Sequence, residues 1–134
     1  VTLGKSLAYI SRRMFNYTGV HQLEINHATR LGAEAFSGCQ CLMRVKVGCQ
    51  VTSIGIGAFE DCKSLRNLIL GHCTETPSQL RSIYSRAFKG CKNLDGAIVL
   101  QSLCNTIQSE AFYGCAKLRK VDMSKTCLRC IGER

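Results

Sequence analysis

The stretch VTSIGIGAFEDCKSL, residues 51–65, decides how the whole chain is read. Ile54 stands five residues before Phe59, Ala58 directly before it, Cys62 three after it and Leu65 six after it. The same spacing returns along the chain. Phe15, Phe36, Phe59, Phe88 and Phe112 each follow an aliphatic residue (Ile10, Leu31, Ile54, Ile83, Ile107) by five positions, and the last four are preceded by Ala. Successive Phe positions differ by 21, 23, 29 and 24 residues, a period in the range of stacked solenoid repeats. These five are all the phenylalanines the chain has, which makes chance a poor explanation.

Working outward, Cys39, Cys62, Cys91 and Cys115 fall three residues after Phe, and Leu42, Leu65, Leu94 and Leu118 fall six after it. A strand pattern then follows: Val45 and Val47, Leu68 and Leu70, Val121 and Met123, each pair separated by one variable residue. That period of two marks a strand with one buried face. The first unit is shorter, with Val20, Leu23 and Ile25, and has Thr18 where later units have Cys. The fourth has one residue too many, Gly96 and Ala97 standing where one is expected, which predicts a bulge. A single unit carries too little apolar surface to fold, so neighbouring coils must bury one another's Leu, Ile, Phe and Cys.

The pattern resembles the leucine-rich repeats of the BspA-like type, on segments such as 51–65 and across residues 10–131. The resemblance implies an α/β solenoid: a leucine-rich repeat stack of about five coils, with short parallel strands on the concave side and helical turns and loops on the convex side. It implies one solenoid domain over residues 1–134, a fragment or one part of a longer array. The concave face would carry the variable strand positions. After Gln22 and Glu24 in the first coil, these are Arg44, Lys46, Asn67, Ile69, Val99, Gln101, Lys120 and Asp122, a mixed surface with a small apolar centre at Ile69 and Val99. They are the candidate protein-binding residues. In this family the solenoid serves mainly as a binding surface for diverse partners, and the fold alone does not name one.

Composition limits the alternatives. The chain has 134 residues, 46% hydrophobic, enough for one continuous core, and its apolar stretches are far shorter than the ~20 residues of a membrane span. No targeting peptide is visible in the given residues, as in a processed chain or a fragment, and no polar capping repeat is visible after Ile131, which predicts that an end coil is exposed or covered by something else. Eighteen Lys and Arg against nine Asp and Glu give +9, but the basic residues are scattered rather than grouped.

Ten cysteines would suggest a disulfide scaffold or a metal site, yet eight have repeat positions: the four after Phe, and Cys49, Cys73, Cys104 and Cys127 after the strands. Small buried thiols are expected there, although adjacent ladder members could be linked in an oxidising compartment. Cys41 and Cys130 are left over. The pair Cys127-Leu-Arg-Cys130 has the spacing of a redox or zinc pair, but no second pair completes four ligands. His21, His27 and His72 read as surface or inter-coil residues, and no metal or cofactor is expected. No catalytic constellation emerges: acidic residues are few, and Gly55 and Gly57 are explained by a tight corner. The connection at residues 71–82 exceeds its counterparts by about six residues, and such insertions map to loops on one face. Asn16-Tyr17-Thr18 fits an N-glycosylation acceptor.

The function expected is a non-enzymatic protein–protein interaction module, a scaffold of the kind that serves as accessory subunit of a larger assembly. The alternative is an extracellular adhesin or surface antigen. A remote third is nucleic-acid binding through the basic surface, with salt-sensitive affinity.

Overall fold

The computed structural model describes the chain except Lys5, His72, Thr74 and residues 127–129 and 133–134. Each coil contributes two strands. The short ones are β1 (Tyr9–Ile10), β3 (Arg30–Leu31), β5 (Ser53–Ile54), β7 (Ser82–Ile83), β9 (Thr106–Ile107) and β11 (Cys130–Ile131). The longer ones are β2 (Gln22–Ile25), β4 (Arg44–Val47), β6 (Asn67–Leu70), β8 (Gly96–Val99) and β10 (Leu118–Asp122). All pairing is parallel and advances one coil at a time. The six short strands form one sheet, β2-β4-β6 a second, and β8-β10 a third.

The aliphatic residue of each motif is the inward half of its short strand: Ile10, Ile54 and Ile83 are fully buried. In the longer strands the expected alternation holds, Val45, Val47, Leu68 and Leu70 pointing into the core while Arg44, Asn67 and Ile69 point out. Between the two strand rows, the Phe rings form a continuous stack with centroids 5.2–5.3 Å apart and planes within 6° of parallel. Phe36, Phe59 and Phe88 are sealed, whereas Phe15 and Phe112, at the two ends, are half-buried. The last coil leaves an apolar hollow of about 410 Å³ lined by Ile107, Phe112, Val121, Met123 and Ile131.

One expectation is corrected here. The Ala-Phe segments are not helical turns, and among the described residues there is no helix. Two residues before each Phe and two after it, the backbone adopts a positive φ: at Arg13 and Tyr17, Glu34 and Gly38, Gly57 and Asp61, Arg86 and Gly90, Glu110 and Gly114. A left-handed residue at every fourth position cannot propagate a right-handed helix. It turns alternate N–H groups outward instead, toward the next coil. Phe15, Phe36, Phe59 and Phe88 donate to the carbonyls of Ala35, Ala58, Ala87 and Ala111, each at 2.8 Å. The turns are thus a third inter-coil ladder, which satisfies backbone groups that would otherwise be buried unpaired.

The cysteine ladder serves the same row. Cys39, Cys62, Cys91 and Cys115 each donate a thiol hydrogen bond to the Phe carbonyl of the preceding coil, at 3.1–3.2 Å. They are free thiols. In the first coil the Thr18 hydroxyl donates at 2.8 Å to the carbonyl of Phe15 in its own coil, the same carbonyl that accepts the Cys39 thiol. The disulfide lies elsewhere: Cys49 joins Cys73, Cα atoms 6.0 Å apart, and ties down the start of the 71–82 connection. That connection is held further by the buried Ser78 and by the Gln79 N–H on the Cys49 carbonyl at 2.8 Å.

The bulge expected at Gly96 and Ala97 is not in that strand, where the two residues are successive partners of β10. Gly96 has φ +87° and donates its N–H to Asp95 Oδ1 at 2.6 Å. The register shift itself falls in the partner strand, between Leu118 and Lys120. This local kink separates β8-β10 from β2-β4-β6 as a ladder, although the coils still stack.

Candidate functional site

The candidate residues come together on the outward face of the longer strands because parallel registration lines up equivalent positions. Gln22, Arg44 and Asn67 form one row across β2, β4 and β6, and Glu24, Lys46 and Ile69 form the next. These two rows line an open concavity of about 340 Å³, closed on one side by Val1 and Thr2. Thr2 bridges to Glu24 as an added strand position. The first half of the candidate patch, Arg44, Lys46, Asn67 and Ile69, is therefore one surface.

The second half is a separate surface beyond the kink. Val99 is 43% exposed in β8 and faces Asp122 of β10 in register; Lys120 is exposed and Gln101 half-buried. Gln101 lies past the end of β8, where its carbonyl accepts the Cys104 N–H at 3.1 Å. None of these four lines the concavity. Ile69 and Val99 are on adjacent coils and both present exposed aliphatic surface, but on separate ladders.

The charges of the patch are unequally occupied. Lys46 Nζ sits 3.1 Å from Glu24, and Lys120 Nζ 3.3 Å from Asp122. The Asp122 carboxylate also accepts the Ser124 N–H at 3.0 Å, and with Lys120 this holds its pKa at about 2. Arg44 has no acidic partner among the described residues, so its guanidinium is free for a ligand. The site thus pairs one uncommitted cation with an exposed aliphatic side chain two residues of lateral offset away, a combination suited to a protein surface.

Sequence reasoning missed Val1 and Thr2, because three alternating residues are too short a pattern to be recognised as a strand. Other candidates take different places. His72 and the first half of the Cys-x-x-Cys pair lie outside the described residues. Cys41 is exposed, and no group of three metal-capable side chains occurs among the described residues. No helix there is long and apolar enough to cross a membrane.

The sequence matches the profile of the BspA type leucine rich repeat region in six copies, over residues 1–75 and 72–134. No curated protein matches it. Among solved structures, a leucine rich cell surface protein from Faecalibacterium prausnitzii A2-165 superimposes with a TM-score of 0.79 over 91% of this chain, at 22% identity. The matched region is 31% of that protein's chain, so this chain spans about a third of its length. At that identity the likeness carries the fold alone.

Proposed function

The chain belongs to the BspA-type leucine-rich repeat family, and from that premise we propose that it is a non-enzymatic module that docks a protein partner on its longer-strand sheet, as accessory part of a larger assembly. The observation that carries this reading is the concavity at β2-β4-β6, where an unpaired Arg44 and a 46% exposed Ile69 face outward from a rigid backbone. The laddered backbone is already ordered, so binding there costs side-chain ordering but no loop ordering, which favours recognition there over recognition on a loop. Val99, Gln101, Lys120 and Asp122, on the separate β8-β10 ladder, would be a second contact surface for the same partner.

A photo-crosslinking residue at Asn67 tests this, with the full chain returned to its native source. A discrete partner crosslinked from Asn67, lost in Arg44→Glu and not captured from Tyr113 on the turn row, supports the reading. Equal capture from both positions, or capture indifferent to Arg44, overturns it. Capture of nucleic acid instead supports the basic-surface alternative.

A second reading, an extracellular adhesin or surface antigen, draws support from the Cys49–Cys73 disulfide, since such bonds persist in oxidising compartments. Labelling of intact cells with an impermeant amine reagent decides it: modification of exposed lysines such as Lys92 places the module outside.

A further inference from the structure

We propose that the short-strand sheet carries a second docking groove, one that takes an extended acidic peptide segment of a partner protein. The groove encloses about 550 Å³ across four coils and is walled by Tyr9 at one end and Tyr84 at the other. Its course follows from the register. Tyr9, Arg30, Ser53 and Ser82 are successive partners on β1, β3, β5 and β7, so one outward side chain per coil lines the row. The floor is low because glycine occupies the position after β3 and after β5, where the fourth coil has Tyr84.

The chemistry of the lining selects the ligand. Arg30 and Arg81 both border the groove, and no carboxylate does. Neither arginine has an acidic partner among the described residues, whereas Arg12, Arg13, Lys46, Arg86, Lys89, Arg119 and Lys120 all do. In a chain with half as many acids as bases, two unpaired guanidiniums in one hollow are a site for anions from outside. Ile56, 44% exposed, lies in the same hollow, and the hydroxyls of Ser53 and Ser82 offer hydrogen bonds.

Spacing fixes the rest. Arg30 and Arg81 belong to coils two apart, roughly 10 Å at the usual strand separation, which is about three residues of extended chain. The fitting segment therefore carries two carboxylates about three positions apart with an aliphatic residue between them. It is held by side chains rather than as an added strand, because the backbone N–H groups of Gly32, Gly55 and Tyr84 are already spent on the coil behind them. This groove lies on a different sheet from the docking face proposed above, so the two stand or fall separately.

The test is fluorescence polarisation of the full chain with a fluorescein-labelled peptide bearing two glutamates three positions apart around a leucine. Expected is saturable binding that Arg30→Glu/Arg81→Glu weakens by about tenfold or more. Lys92→Glu/Lys117→Glu, which changes net charge equally on exposed positions elsewhere, should weaken it by less than about twofold. Tyr84→Ala should weaken it measurably at unchanged salt dependence. Equal loss in the two double variants overturns the proposal in favour of net charge alone. Absence of binding at millimolar protein overturns it as well, and so does equal binding of a charge-matched single-stranded oligonucleotide.

Discussion

Phe59 and Phe88 lie face to face, ring centroids 5.3 Å apart and planes 4° from parallel, although 29 residues separate them where neighbouring pairs have 21 to 24. The extra length leaves the stack untouched because it is taken up entirely by the connection at residues 71–82, and the Phe59 N–H still reaches the Ala87 carbonyl at 2.8 Å. The aromatic column, not the loop length, sets the spacing of the coils.

Phe88 is sealed and stacked on both sides, by Phe59 and Phe112, whereas Phe15 is half-buried and stacked on one side by Phe36. Phe88→Ala should therefore cost about 3 to 5 kcal/mol, the usual range for a core Phe, and Phe15→Ala distinctly less. Reversible urea denaturation measures both. Equal losses would show that the stack does not transmit burial from coil to coil.

Gly38 has φ +70°, and a Cβ there would run into the ring of Tyr17, the residue at the same turn position one coil earlier. Gly38→Ala should cost about 1 to 2 kcal/mol for the left-handed backbone, and more for the displaced ring. Tyr17→Ala removes the second effect only. In a double-mutant cycle the two changes should couple favourably, and strict additivity would mean that the ring moves aside freely.

Why some of this was legible in the sequence and some was not has a physical basis. The Phe column, the Cys positions and the outward rows through Arg44 and Asn67 follow from spacing, since a stacked parallel coil carries each position directly to its neighbour. The turn conformation was hidden because half of its left-handed positions carry residues with no special turn preference, such as Arg13, Glu34, Arg86 and Glu110. Their side chains do not announce the backbone; the inter-coil ladder imposes it. The division of the candidate patch was hidden too, because the register shift falls between Leu118 and Lys120, in a unit whose repeat spacing is regular. That Cys49 and Cys73 are the pair was equally out of reach, since repeat spacing puts six other cysteines in equally regular positions.

The Cys49–Cys73 bond closes a loop of sequence separation 24, for which the chain-entropy scale gives about 3 kcal/mol of stabilisation. Cys73 is exposed, so a mild reductant can reach it. Reduction should lower the denaturation midpoint and open residues 71–82 to proteolysis while the Phe stack persists. In Cys73→Ser the reductant should have no further effect. A further drop in that variant would reveal a second disulfide.

The free thiols supply the pH dependence. The hydrogen bond with Cys39, and then burial, push the Cys62 thiol well above the ordinary range; burial does the same to Cys91 and raises the half-buried Cys115 to about 11. In the unfolded chain these groups ionise near ~8.5. Between that value and the raised folded values the native state holds more protons than the unfolded one, so stability falls as pH rises. The contribution of these three is fully present below about pH 8 and declines progressively from pH 9 upward, while Cys39, held down at about 6 by its hydrogen bond with Cys62, contributes in the opposite sense, its share growing between about pH 6 and pH 8. Alkylation of the native protein at pH 8 should follow the same order, with exposed Cys41 modified first and Cys62 and Cys91 protected until unfolding. Peptide mapping by mass spectrometry after timed alkylation, alongside melting curves at pH 7 and pH 10, measures both. Rapid labelling of Cys62 at pH 8 would mean that the coils separate in the native state, and the buried-thiol ladder would then be no part of what holds them together.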